Sequence, residues 1–186
     1  MNDELRERKA RIFLTGFMGS GKSTVGPILA NTIGYSFVDL DREIEAHYQK
    51  SVSRIFQEDG EQYFRAREYE VLGQLVKRDA LVVALGGGTL SVPAAFDLIK
   101  HSGLLVYLKV EPEELFKRLH HKTDRPLLTD AEGNRLSDDA LRERLMHLHS
   151  RREPLYAQAD IIVLADEKRL GLTVDHLVRL LMPVLR

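Results

Sequence analysis

The sequence contains no cysteine, and this absence excludes several kinds of chemistry. Without thiols the chain can form no disulfide, use no cysteine nucleophile and bind no metal through sulfur. No apolar run approaches ~18 residues, so we expect no transmembrane helix. The charged N-terminus MNDELRERKA lacks the apolar stretch of a signal peptide, and we therefore expect a cytoplasmic location.

An excess of charge of one sign is also missing. The 27 lysines and arginines nearly balance the 28 aspartates and glutamates, which leaves a formal net charge of −1. This balance gives no electrostatic case for a nucleic acid or membrane partner, and we expect neither. The 186 residues, 44% hydrophobic and 30% charged, suit one globular domain over 1–186, which we expect to be a monomer.

A glycine-rich motif at 16–23 fits the pattern G-x-x-x-x-G-K-[ST] of a phosphate-binding loop. It follows the apolar run 11–15, typical of a buried strand, and precedes apolar positions at helical spacing. The glycines let backbone N–H groups point inward, and the helix N-terminus adds partial positive charge. Lys22 can reach the β/γ-phosphates, and the Ser23 hydroxyl can sit on Mg²⁺. The alternative is a glycine-rich turn with a chance lysine, but motif and context together favour nucleotide binding.

Strand and helix signals alternate along the chain, which favours an open α/β sandwich. Three predicted strands are almost wholly apolar, as in a parallel sheet covered on both faces. The predicted strands are 11–15, 36–39, 81–85, 104–109 and 160–164. The predicted helices are 22–33, 41–48, 61–78, 93–101, 112–120, 137–149 and 170–184.

Two segments interrupt this alternation, 49–60 and 121–136. The second is long and polar, and such loops in compact enzymes are often lids, the alternative being a tolerated surface insertion. Pro27 lies inside the helix predicted after the phosphate-binding loop. Because it removes a backbone hydrogen bond there, we expect a local kink.

Two carboxylates, Asp39 and Asp41, end the second predicted strand. Open parallel sheets bind ligands at the carboxyl ends of their strands, so these side chains point toward the expected crevice. Asp39 could hold Mg²⁺ directly or through water. Asp41 could accept the proton of an attacking hydroxyl or only orient it. The alternative is that either aspartate caps the following helix.

Three consecutive glycines, 86–88, follow the third apolar strand. Glycines cost backbone entropy unless something must come close, so they favour approach of backbone N–H groups to a substrate. The alternative is a tight turn. Arg65, Arg125 and Arg152 are each, taken alone, most simply surface charges. Beside a phosphate-binding loop, such arginines could supply the positive charge that phosphoryl transfer needs.

In their order along the chain, these motifs resemble those of the shikimate kinases. The matching segments are GFMGSGKS (16–23), DLD (39–41), FRARE (64–68), GGG (86–88), RPLL (125–128) and REPLY (152–156). The resemblance runs from about residue 10 to about residue 163. It implies Mg²⁺-dependent phosphorylation of the 3-hydroxyl of shikimate by ATP, in aromatic amino acid biosynthesis. It also implies a three-layer α/β/α sandwich with a five-stranded parallel sheet, like the nucleoside monophosphate kinases.

The resemblance also implies roles for individual residues. Those implied for the nucleotide are Gly19, Ser20, Gly21, Lys22, Ser23, Thr24, Arg118 and Arg125. Those implied for shikimate are Asp41, Arg65, Gly87, Gly88 and Arg152, with Phe56 and Phe64 lining its pocket and Glu68 holding Arg65. The implied metal-binding residues are Ser23 and Asp39, and the implied catalytic residues are Lys22, Asp41 and Arg125. The substrate-binding segment would span about 40–70 and the lid about 121–136.

Other readings share some of these features. Gluconate kinases and nucleoside monophosphate kinases have the same loop and lid, but the Arg65/Arg152 pair with the triple glycine favours shikimate. A nucleotide-dependent binding module without catalysis would need a loss in the catalytic set, and the sequence has none. The family usually packs a proline-containing loop on adenine after the last strand. Here 165–172 contains no proline, so those adenine contacts do not carry over.

Overall fold

The computed structural model describes residues 11–120, 136–165 and 170–185. Within them lies one five-stranded sheet whose strands all run parallel, in the order β2-β3-β1-β4-β5. The strands are β1 (Arg11–Thr15), β2 (Ser36–Asp39), β3 (Leu81–Ala84), β4 (Leu104–Lys109) and β5 (Ile161–Leu164). The predicted parallel sheet is therefore confirmed, with strand ends within one residue of those expected.

Helices connect the strands. They are α1 (Lys22–Ile33), α2 (Leu40–Tyr48), α3 (Val52–Glu58), α4 (Gly60–Leu75), α5 (Pro93–Ser102), α6 (Pro112–Leu119), α7 (Asp138–Tyr156) and α8 (Leu170–Leu185). A short 3₁₀ turn spans Thr89–Ser91. Contacts join α1 to α8 and α4 to α5. Right-handed crossovers place these two pairs on opposite faces of the sheet, which gives the predicted three-layer sandwich.

Besides α4, which ends at Leu75 instead of the predicted 78, two helices differ from the prediction. Within 49–60, α3 forms a helix of seven residues, too short to show a helical period in the sequence. Its first turn is capped, because Ser51 Oγ accepts a hydrogen bond from the Arg54 N–H at 3.2 Å. The other difference is α7, which continues beyond the predicted end at 149 and through Pro154. Burial of Tyr156, which is 1% exposed, anchors this last stretch in the core.

The centre of the sheet is the core of the fold. Every residue of β1 and β3 is buried, and so are five of the six in β4. The phosphate-binding loop, the Asp39–Asp41 segment and the triple glycine all follow carboxyl ends of strands, at one edge of the sheet. Pro27 lies on the exposed side of α1 and does not end that helix. The local kink expected there stays a prediction.

The expected lid at 121–136 lies outside the described residues except for Leu136, and Arg125 lies outside them as well. Across the described parts of the chain, no helix combines the length and apolar character needed to span a bilayer.

Candidate active site at the carboxyl edge of the sheet

The phosphate-binding loop joins β1 to α1 through a backbone that requires glycine. Gly16 has φ +141°, and a Cβ placed there would lie 2.7 Å from the Leu108 carbonyl oxygen. Gly21 caps α1 with a left-handed conformation at φ 94°. The Lys22 ammonium donates hydrogen bonds to the carbonyls of Gly16 at 2.7 Å and Phe17 at 3.1 Å. The lysine head therefore lies over the loop, where a phosphate would bind.

The remaining loop residues contribute mainly through the backbone. The Ser20 side chain is buried, and its hydroxyl has no hydrogen-bond partner among the described residues. The Ser20 N–H donates to the Phe17 carbonyl at 3.1 Å and so closes the turn. Thr24 is exposed in the first turn of α1, and its N–H donates to the Gly21 carbonyl at 3.0 Å. Gly19 has φ +78° and packs near Leu119 of α6.

A second contact joins this loop to the end of β2. Ser23 Oγ donates a hydrogen bond to Oδ2 of Asp39 at 2.7 Å. Asp39 Oδ1 accepts a longer hydrogen bond, 3.4 Å, from the Arg42 N–H at the start of α2. The capping alternative is thus correct for one carboxylate oxygen, while the other faces the loop. A hydroxyl and a carboxylate oxygen this close form an oxygen donor set that fits Mg²⁺.

Asp41 lies against the first of the three glycines. A Cβ on Gly86 would lie 2.9 Å from Asp41 Oδ1, 3.1 Å from Thr89 Oγ1 and 3.2 Å from Glu68 Oε1. Two carboxylates and a hydroxyl therefore surround one small backbone position. Any side chain at Gly86 would displace the Asp41 carboxylate from the edge of the sheet, which explains this glycine.

Arg65 of α4 reaches the third glycine of the segment. A Cβ on Gly88 would lie 2.4 Å from Arg65 Nη2. The Arg65 guanidinium donates from Nη1 to Glu68 Oε2 at 2.8 Å, and Glu68 is 1% exposed. The same group lies over the Phe56 and Phe64 rings, at 6.0 and 5.2 Å from their centroids. These contacts hold a guanidinium at the edge of an aromatic pocket.

Arg152 of α7 reaches the second glycine from another direction. Its Nη1 would lie 3.3 Å from a Cβ on Gly87, and its guanidinium is 5.8 Å from the centroid of the Phe17 ring. Two arginines from different helices therefore meet at neighbouring glycines. Two guanidinium groups at one edge of the sheet offer paired N–H donors of the kind that can bind an anion.

Arg118 of α6 lies on the other side of the phosphate-binding loop. It donates from Nη1 to the Gly19 carbonyl at 3.2 Å and from Nη2 to the Ala165 carbonyl at 3.4 Å. Its side chain is 6% exposed. The residue thus connects the loop to the end of β5, near the expected position of the nucleotide base. Residues 166–169, which follow, lie outside the described part of the chain.

Two residues of the site were not predicted from the sequence. Thr89 Oγ1 donates to Glu68 Oε1 at 2.7 Å and lies 3.0 Å from the Gly86 carbonyl. The Tyr156 hydroxyl donates to the Gly87 carbonyl at 2.5 Å. Burial raises the pKa of Tyr156 to about 12, and the nearby Arg152 charge offsets part of that rise. The only available signals were a hydroxyl next to the triple glycine and a tyrosine one turn after Arg152.

Comparison with known proteins is consistent with this geometry. The family model described as "Shikimate kinase" matches residues 18–181. A shikimate kinase from Chlorobaculum tepidum is 49% identical over 168 residues, covering 90% of this chain and 88% of that one. A solved shikimate kinase from Acinetobacter baumannii, in complex with shikimate, superposes with a TM-score of 0.84 at 32% identity, covering 98% of each chain. A gluconokinase from Sinorhizobium meliloti shares the fold, with a TM-score of 0.59 at 20% identity over 96% of this chain and 94% of that one.

Proposed function

This chain belongs to the shikimate kinase family and is an ATP-dependent kinase of aromatic amino acid biosynthesis, and we propose that it phosphorylates the 3-hydroxyl of shikimate at the carboxyl edge of its sheet. The products are shikimate 3-phosphate and ADP. The observation that carries the site assignment is the approach of Arg65 and Arg152 to neighbouring glycines, beside Asp41 and one loop away from Lys22.

The shikimate carboxylate binds between the two arginines. A guanidinium group offers paired N–H donors that match the two oxygens of a carboxylate. The positive charges of Arg65 and Arg152 together balance the negative charge of the bound carboxylate. Glu68 and the Phe56 and Phe64 rings hold Arg65 in place. The backbones of Gly87 and Gly88 meet the substrate, since the absence of side chains there leaves room for close approach.

The shikimate hydroxyls then face Asp41. Its carboxylate accepts the hydrogen bond of the 3-hydroxyl and directs that oxygen toward the γ-phosphorus of ATP. The new P–O bond forms as the bond from the γ-phosphorus to the β,γ-bridging oxygen breaks, and ADP leaves with that electron pair. The hydroxyl proton passes to Asp41 or to solvent. In-line alignment and charge stabilisation carry most of such a reaction.

The nucleotide side of the site is built from the phosphate-binding loop. Residues 19–24 surround the phosphates, with loop N–H groups directed toward them, Lys22 contacts the β- and γ-phosphates, and Arg118 lies by the base. Ser23 and Asp39 would hold Mg²⁺, which supplies positive charge to the phosphates when bound. Arg125 would approach the phosphates from the lid, and lid closure would exclude water as a competing acceptor.

The organisation of the chain follows from the same proposal. Residues 1–186 form one P-loop kinase domain, in which about 40–70 bind shikimate and about 121–136 form the lid. The net charge of −1 supports a protein that acts without a nucleic acid or membrane partner. We place it in the cytoplasm as a monomer.

A coupled assay of ADP release tests the proposal. Purified protein with ATP and Mg²⁺ should turn over shikimate, and should show no comparable rate with gluconate or a nucleoside monophosphate. The Lys22→Ala variant should fold but lose turnover, because the phosphate contact is lost. Turnover with gluconate or a nucleoside monophosphate in place of shikimate would refute the substrate assignment. A Lys22→Ala variant that keeps most of its rate would refute the role of the loop.

A further inference from the structure

Two buried hydroxyls lie at neighbouring carbonyls of the triple-glycine segment, those of Gly86 and Gly87. Thr89 is 0% exposed, and its Oγ1 lies 3.0 Å from the Gly86 carbonyl. Tyr156 is 1% exposed, and its hydroxyl donates to the Gly87 carbonyl at 2.5 Å. One hydroxyl comes from the 3₁₀ turn after the glycines and the other from the end of α7.

Each hydroxyl also lies close to one of the two arginines: that of Thr89 bonds the carboxylate partner of Arg65, and that of Tyr156 lies near Arg152. Thr89 Oγ1 donates to Glu68 Oε1 at 2.7 Å, and the other oxygen of that carboxylate accepts from Arg65 Nη1 at 2.8 Å. Tyr156 lies one helical turn after Arg152. The Tyr156 hydroxyl and Arg152 Nη1 both lie within 4 Å of the same point, where a Cβ on Gly87 would stand.

The phenol ring and the carboxylate are themselves held firmly. The Tyr156 ring packs against Tyr107 of β4, with 5.3 Å between ring centroids. The Tyr107 hydroxyl in turn donates to Glu153 of α7. Glu68 is 1% exposed and cannot follow Arg65 into solvent. The Tyr156 hydroxyl therefore connects the core directly to the glycine backbone. Thr89 connects buried Glu68 to that backbone through its hydroxyl on one side and its own N–H on the other, which donates to the Gly86 carbonyl at 3.2 Å.

Such connections address a particular problem of this site. Arginine side chains are long and carry much rotamer freedom, and these two come from α4 and α7, which are far apart in the sequence. A small carboxylate bound by both needs their guanidinium groups at one separation. Thr89 and Tyr156 contact the groups beside Arg65 and Arg152, and both also contact the same three-residue glycine segment. These contacts set the separation of the guanidinium groups before the substrate binds.

We propose that Thr89 and Tyr156 are positioning residues for the binding of shikimate. Their side-chain hydroxyls fix the spacing of Arg65 and Arg152 across the glycine segment. The inference rests on the proposed role of these arginines in binding the carboxylate. Neither hydroxyl needs to touch the substrate. Because neither hydroxyl has a hydrogen bond to the phosphate-binding loop, all of which the structure describes, their removal should weaken shikimate binding and leave ATP binding unchanged.

The experiment compares variants that delete one hydroxyl with little change of shape. Thr89→Val and Tyr156→Phe should each raise KM for shikimate by about 3- to 10-fold, the usual net effect of one hydrogen bond, with KM for ATP unchanged. Thr89→Ser keeps the hydroxyl, so its KM for shikimate should stay close to that of the original protein. Thr32→Val and Tyr35→Phe, which lie away from the site on α1 and before β2, are matched controls and should change neither KM.

Folding is checked separately by thermal melting and by calorimetric titration with ADP. If Thr89→Val does not fold, Thr89→Ala takes its place in the same comparison. An unchanged KM for shikimate in both hydroxyl variants would overturn the inference, as would equal rises in both KM values. A KM for shikimate in Thr89→Ser that is as high as in Thr89→Val would overturn the role assigned to the Thr89 hydroxyl.

An Arg152→Lys arm separates this inference from the proposal on which it rests. If Arg152→Lys raises KM for shikimate and the hydroxyl variants do not, only the positioning inference fails. If Arg152→Lys also leaves KM unchanged, the carboxylate site itself is wrong. The double variant Thr89→Val/Tyr156→Phe adds a further check. Because the two hydroxyls act on the same spacing, the rise in KM for shikimate in the double variant should differ from the product of the two single rises.

Discussion

Ser23 and Asp39 are joined by a 2.7 Å hydrogen bond from Ser23 Oγ to Asp39 Oδ2. Ser23 lies in the first turn of α1 after β1, while Asp39 ends β2, and β3 lies between those two strands in the sheet. The fold thus brings together two oxygens that local sequence does not connect. Their separation is already short enough for both to contact one cation or its bound water.

This pair predicts how the enzyme depends on Mg²⁺. In Asp39→Asn the oxygen facing Ser23 loses its negative charge, so the concentration of free Mg²⁺ that gives half-maximal rate should rise by about 10- to 100-fold. The measurement is ADP release at fixed ATP over a range of free Mg²⁺. Asp79→Asn is a matched control, because Asp79 pairs with Arg11 at the opposite edge of the sheet. An identical Mg²⁺ dependence in Asp39→Asn and the control would contradict the assignment.

The strands were predictable because their signal is local. The apolar runs of β1, β3 and β4 are bounded by polar or glycine residues, and each is buried as its composition suggests. The helix α3 was not predicted, because seven residues cannot display a period of 3.6 clearly. The last turns of α7 depend on burial of Tyr156 against Tyr107, a contact that no local pattern reports.

The residues of the site also differ in how far the sequence predicts them. The approach of Arg65 and Arg152 to the glycines was expected only from the resemblance to the shikimate kinases, because both residues lie within helices and each, taken alone, fits a surface charge. The hydroxyls of Thr89 and Tyr156 were missed, since threonine and tyrosine at those positions fit equally well as packing residues. Their partners are a buried carboxylate and a backbone carbonyl, which become neighbours only in the folded chain.

Arg152 predicts a selective loss of shikimate affinity. Replacement by lysine keeps the charge but removes the two-point fork, so KM for shikimate should rise by about 10- to 100-fold, as for a lost hydrogen bond to a charged group. KM for ATP should not change. The neighbouring Arg151 is exposed, and Arg151→Lys is a control that keeps the local sequence almost intact. Saturation by shikimate that is unaffected in Arg152→Lys would reject the contact with the carboxylate.

Gly88 predicts that one methyl group is enough to disturb the same grip. A Cβ there would lie 2.4 Å from Arg65 Nη2, the far end of a long side chain, so Gly88→Ala should displace the arginine without unfolding the protein. The backbone at φ −109° accepts alanine without strain. Kinetic assays should therefore show a raised KM for shikimate, together with a nearly unchanged melting temperature.

Gly73→Ala is the matched control for that substitution. Gly73 lies inside α4, and a Cβ there would meet nothing within 4 Å. Alanine should stabilise the protein by about 0.5–1 kcal/mol at this helical position and leave both KM values unchanged. If Gly88→Ala behaved like Gly73→Ala in the kinetic assay, Arg65 would have no part in binding shikimate.

Tyr156 predicts a change in stability at alkaline pH. Its pKa is about 12 in the folded protein and near 10 when the chain is unfolded, chiefly because burial disfavours the phenolate. Below pH 10 both states hold the proton, so the contribution of this group to stability is fully present. Between pH 10 and 12 the unfolded state releases the proton and the folded state keeps it, so stability falls by up to about 3 kcal/mol.

In Tyr156→Phe this ionisation is absent, so the free energy of unfolding should decline less steeply from pH 10 to 12 than in the original protein. Denaturant titrations at several pH values measure that slope. Tyr107→Phe should also flatten it, because burial and the Glu153 carboxylate raise the pKa of Tyr107 as well. Tyr69 is 42% exposed, and Tyr69→Phe serves as the control. Parallel slopes for Tyr156→Phe and the original protein would contradict a raised pKa of this phenol in the folded state.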